Sequence, residues 1–189
     1  MGKRSVHIVV FAVMSVMTTP GQNRTVQKWA QEPNAFKGLR FGASLGTARE
    51  VFGEGLSEYP SDVPGFYIYK ALLKIGATRV TAQLIFTGEN GDRKFVGVIG
   101  DFPSESYDDM REIFVSRYGS PHSVKQSAVQ NGFGGTFPNE FLQWKGRFVT
   151  KVVLQKYGSM LNKGFFTVET PAMREFRRIL HDRNKDDDL

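Results

Sequence analysis

Apolar and polar positions alternate along much of this chain, and the period switches between strand-like and helix-like stretches in a way that marks separate elements. Phe36-Lys37-Gly38-Leu39-Arg40-Phe41 alternates as a short strand. Ser44 follows as an N-cap, with Leu45, Ala48, Val51 and Phe52 on one face of a helix that Gly53 ends. Beyond a loop carrying Pro60 and Pro64, Phe66 to Lys70 alternates as a strand, and Leu73-Lys74-Ile75 leads into a second one. Val80, Ala82, Leu84 and Phe86 then alternate with Arg79, Thr81, Gln83 and Ile85 up to Glu89-Asn90-Gly91-Asp92, where Asn-Gly is a strong hairpin signal. The return strand, Lys94 to Ile99, is apolar at nearly every position, which predicts a central strand covered on both faces.

Ser106 with Asp109 three residues on fits a capping box, and Tyr107, Met110, Ile113, Phe114 and Tyr118 form the apolar stripe of a second helix ended by Gly119 and Pro121. Residues 123–139 are rich in Gly, Gln, Ser and Asn and predict a long loop. Phe141 to Trp144 and Phe148 to Gln155 pair around Lys145-Gly146, and Phe165 to Glu169 adds a strand. Thr170-Pro171 opens a last helix with Met173, Phe176, Ile179 and Leu180 inward. The pattern predicts an α+β fold: an antiparallel sheet of about seven strands with two to three helices packed on one face. Its expected span is 36–181, behind a polar linker at 22–35 and before an acidic tail at 182–189.

The first residues change the picture. Lys3 and Arg4, a mostly apolar run from Val6 to Met17, and Thr18-Thr19-Pro20-Gly21 are the three parts of a secretory signal, so 1–21 is expected to be a signal peptide. The run is shorter than the roughly 20 residues a membrane span needs; a buried first strand is the other reading. The chain has 189 residues, 40% of them hydrophobic and 13% aromatic, enough to build a core without disulfides. It has no cysteine, which excludes thiolate chemistry, cysteine zinc sites and a lipid-anchored cysteine. The expected product is therefore a periplasmic or secreted protein without a transmembrane span. A net charge of +6 speaks to solubility more than to a ligand.

Candidate chemistry is sparse. Gly42-Ala43-Ser44-Leu45-Gly46 fits the nucleophile elbow of serine hydrolases, with His122 or His181 as the base; the other reading of Ser44 is a plain helix cap. Rings adjoin cations at Arg40-Phe41, Lys94-Phe95, Trp144-Lys145 and Arg147-Phe148, as a single-stranded nucleic-acid platform would need. Neighbours on a strand point to opposite faces, however, so such pairs also describe a core ring beside a solvated cation. Asp101, Glu105, Asp108 and Asp109 gather where the second helix starts, and serve its dipole as readily as a cation. No ligand spacing or phosphate loop is present, and no metal or cofactor is expected. For a binding protein, Tyr67, Tyr69 and Phe133 are the expected ring anchors on an exposed sheet face.

Two segments carry a resemblance. Phe36-Lys37-Gly38-Leu39-Arg40-Phe41-Gly42-Ala43-Ser44-Leu45, leading to Val51-Phe52-Gly53, resembles the F-x-G-I-x-W/F-G-x-S opening of small bacterial envelope proteins. Ile113 to Pro121 resembles the helix-ending L-x-x-x-Y-G-x-P of the same group. Over residues 36–170 the layout is similar to outer-membrane assembly lipoproteins and β-lactamase-inhibitor-like domains, and differs from the former in lacking the lipobox cysteine. What the resemblance implies is an exported binding module whose partner is an envelope protein or a small ligand, with no shared catalytic residue.

Overall fold

The computed structural model describes residues 29–89 and 92–186, with side chains to Asp182. The expected signal peptide, the first part of the linker, the Asn90-Gly91 turn and the last three residues lie outside the described residues.

The stretch 36–41 is a tight hairpin in place of one strand. β1 (Ala35–Phe36) and β2 (Leu39–Arg40) pair across Lys37 and Gly38. Both turn residues have positive φ, 50° and 87°, the conformation of a two-residue hairpin loop. This folds Phe36 and Leu39 into the core side by side. α1 (Leu45–Phe52) follows, buries Ala48, and leaves Val51 partly exposed.

The main sheet has eight strands, one more than expected, and every neighbouring pair is antiparallel. β3 (Leu56–Tyr59) forms one edge. β4 (Phe66–Ile75) is a single strand where two were expected, and turns through Gly76 into β5 (Thr78–Thr87). β6 (Lys94–Pro103) returns beside it with a bulge that leaves Val96 as the extra residue. α2 (Tyr107–Tyr118) crosses to the far half of the sheet, which β7 (Ser123–Gln130), β8 (Thr136–Trp144), β9 (Lys151–Gln155) and β10 (Lys163–Glu169) build back toward β6. The order is β3-β4-β5-β6-β10-β9-β8-β7. The predicted loop at 123–139 is thus mostly β7 and the start of β8.

One face of the sheet carries the larger core. Val80, Ala82, Leu84 and Phe86 of β5, Phe166 and Val168 of β10, and Leu142 and Trp144 of β8 meet Tyr107, Met110, Phe114 and Tyr118 of α2. Each fully buried ring contributes roughly 1.5–3 kcal/mol. Gly100 leaves room on this face for the Phe166 ring, because a Cβ there would run into it. Two indole N–H groups take the last carbonyls of α2: Trp29 donates to Tyr118 O and Trp144 to Gly119 O, both at 2.8 Å. The capping box does not form. Ser104–Ser106 make a single 3-10 turn, and the Ser106 side chain makes no cap bond.

α3 (Pro171–Asp186) packs elsewhere. Met173 and Phe176 join Ile68, Ile85 and Val96 in a second apolar cluster. Ile85 alternates with Leu84 and Phe86, so this cluster lies on the opposite face of the sheet. The helices are divided between the two faces, and the expectation of one covered face is corrected. Alternation along a strand shows which residues share a face but not which helix covers them. Two residues of the expected linker are tied to the fold: Trp29 is buried, and Glu32 accepts the backbone N–H groups of Phe148 and Val149.

Candidate functional site

Ser44 is the N-cap of α1. Its Oγ accepts the Thr47 N–H at 3.2 Å and lies 3.1 Å from Thr47 Oγ1. His122 uses Nδ1 to accept the Lys145 N–H at 2.8 Å, and its ring lies edge-on to Trp29. Ser44 bridges to Lys94 at the start of β6, whereas His122 and Lys145 flank β7 and β8. β10 and β9 lie between β6 and β8, three strand spacings or roughly 14 Å. Nucleophile and base are not brought together, and His181 is exposed on α3.

The three expected ring anchors do not share a surface. Tyr69 is buried in the larger core against Phe86. Tyr67, on the same face and half-buried, is covered by the Arg93 guanidinium 3.8 Å above its ring. Arg93 also bonds the Tyr69 hydroxyl and Glu58. Both tyrosines are therefore occupied within the fold, and their exposure on an open face is corrected. Phe133 stands alone, 99% exposed at the tip of the β7–β8 hairpin. Asn131 shapes that tip, its Oδ1 accepting the N–H groups of Phe133 at 3.1 Å and Gly135 at 2.7 Å.

The two edges of the sheet differ. β3 has four residues and runs into Pro60; its Glu58 pairs with Arg93, and Lys70 caps the Tyr59 ring at 3.2 Å. Such devices blunt an edge. β7 has eight residues, exposed almost throughout, with Lys125 its one charge and Val124 half exposed. Alternate residues there turn N–H and C=O groups away from β8, the arrangement that accepts another strand.

On the α3 face, the pairing registers define successive rows across the strands. Ile68, Ile85 and Gly97 stand in one row, under α3, where a Cβ on Gly97 would strike Met173. Four residues further along each strand is a row α3 does not cover. It runs Leu72, Thr81, Asp101, Phe165, Gln155, Phe141 and Lys125 from β4 to β7. Leu72 is 74% exposed, and the two phenylalanines are half-buried. Leu72, Thr81 and Asp101 line a cavity of about 430 Å³ that Arg79, Glu105 and Lys163 also edge. That volume is in the range of small-molecule sites. Among the described residues, no cluster of three or more His, Asp or Glu side chains is arranged to hold a metal.

Two of the groups with altered acidity, Glu140 and Tyr107, belong to a clamp. Tyr107 Oη donates to Glu140 Oε2 at 2.6 Å, Arg111 Nε donates to the same oxygen at 2.9 Å, and Gln126 donates to Oε1 at 2.7 Å. Burial pulls the Glu140 carboxyl upward, but these hydrogen bonds and the Arg111 charge outweigh it and hold it below the usual carboxylate range. Burial and the bond to Glu140 push the Tyr107 phenol up. The cluster ties α2 to β8 and β7, with every group engaged.

Comparison with protein-family models, curated proteins and solved structures finds no match. The site must be argued from this chain alone. Sequence reasoning overlooked β7, although Asn131-Gly132 in its loop is the same hairpin signal as Asn90-Gly91.

Proposed function

We propose that this chain is an exported binding protein that takes an extended polypeptide segment onto the β7 edge, with Phe133 as an adjoining apolar anchor. The observation that carries this reading is the contrast between the blunted β3 edge and the long, nearly uncharged β7 edge. Main-chain bonds to β7 would supply affinity, and the side chains that Val124 and Phe133 meet would supply selectivity. The leader-like residues 1–21 and the resemblance to envelope proteins support export and a partner in the bacterial envelope. No residue is assigned a catalytic role.

A photo-crosslinking amino acid placed at Ser127 or Phe133 in intact cells tests the edge, with Tyr59 as the control. Crosslinking to the same polypeptide from both positions and not from Tyr59 supports the reading; equal crosslinking from Tyr59 overturns it. The N-terminal residue of the purified cellular protein tests export. A mature chain starting near Gln22 supports it, and a chain that keeps Met1 to Gly21 removes that part of the proposal.

A further inference from the structure

The row that α3 leaves open has a composition of its own. Phe165 and Phe141 stand in register on either side of Gln155, two strand spacings or roughly 9.6 Å apart. Asp101 adjoins Phe165 at one end and Lys125 adjoins Phe141 at the other. Among the described residues, neither Asp101 nor Lys125 has an ion-pair partner, and nor do Arg79, Glu105 and Lys163 around the adjoining cavity. Gln155 spends Nε2 on Tyr157 O, and among the described residues its Oε1 accepts nothing.

We infer that this row binds an extended, beta-linked oligosaccharide lying across the strands, with one end in the cavity beside Asp101. Two phenylalanines separated by two strand spacings match a chain in which every second sugar presents the same apolar C–H face. Between and beside them, Gln155 Oε1 and the Asp101 carboxylate accept hydrogen bonds that sugar hydroxyls donate. The carboxylate also decides against the other polymer that stacks on rings. A nucleic-acid strand offers Asp101 and Gln155 no donor from its phosphates, only from base edges, whereas a polyhydroxylated ligand offers hydroxyl donors along its whole length.

The test is an amide chemical-shift titration of the isotope-labelled protein with cellohexaose, with chitohexaose and with a single-stranded oligothymidylate. Saturable shifts from at least one hexasaccharide, centred on Asp101, Phe165, Gln155 and Phe141, are expected. Asp101→Asn and Phe141→Leu should each raise Kd roughly tenfold, while Val51→Ser, exposed on α1 away from the row, leaves it unchanged. Asp101 and Phe141 are half-buried, so retained backbone spectra separate a lost contact from a lost fold. The inference is overturned by no saturable shift from either sugar at about 10 mM, by shifts centred elsewhere, or by tighter binding of the oligothymidylate.

Discussion

The hydroxyl of Tyr107, at the first turn of α2, donates a 2.6 Å hydrogen bond to the Glu140 carboxylate in the middle of β8. Residues 33 positions apart are thereby joined where the sheet passes under the helix. A hydrogen bond to a charged acceptor contributes about 1.5–3 kcal/mol. Tyr107→Phe should destabilise the protein by that order near pH 7 in urea unfolding.

The same contact gives a pH dependence. The folded Glu140 carboxyl titrates below its unfolded value, so its contribution is fully present above the ordinary glutamate pKa of about 4.3 and is lost as pH falls through the folded value. Glu140→Gln should therefore be less stable than the parent at neutral pH and close to it in strong acid. Equal stability gaps at about pH 7 and pH 3 would remove the carboxylate from this account.

Gly100 and Phe166 are neighbours across the β6–β10 pair, and a Cβ at 100 overlaps the Phe166 ring. Gly100→Ala should cost about 1–3 kcal/mol by overpacking. Phe166→Leu costs stability by itself, but the double variant should lose less than the two single losses added. Simple additivity in a thermal or urea series would contradict the packing described.

Ser44→Ala removes the acceptor for the Thr47 N–H and should lower stability by about 1 kcal/mol, the usual loss of a cap. A fluorophosphonate probe should leave the parent protein unlabelled. Stoichiometric labelling at Ser44 would restore the nucleophile reading.

A lysine at Ala128, in the exposed middle of β7, should abolish partner crosslinking from Phe133 while changing stability by no more than about 0.5 kcal/mol. Unchanged crosslinking yield would show that the partner does not use the strand edge.

The strands β4, β5, β6 and β10 and the three helices are legible in the sequence because each has a strong apolar period or a turn residue that only its conformation tolerates. β7 is not, since an edge strand exposed on both faces has no buried side to impose alternation: Ser123-Val124-Lys125-Gln126-Ser127-Ala128-Val129-Gln130 reads as a polar loop. Tyr67 and Tyr69 were expected at the surface because their alternation identifies a shared face, yet that face is the one α2 and Arg93 help to cover.

Local chemistry therefore determined the elements: the Ser44 cap, the stripe of α2, the proline start of α3 and the doubly apolar β6. The tertiary structure alone decided the division of the helices between two faces, the wide separation of Ser44 from His122, and the alignment of Phe165, Gln155 and Phe141 into one row. Those relationships depend on strand order and register, which are set when many weak contacts distant in sequence are satisfied together and which the periodicity within a single segment does not encode.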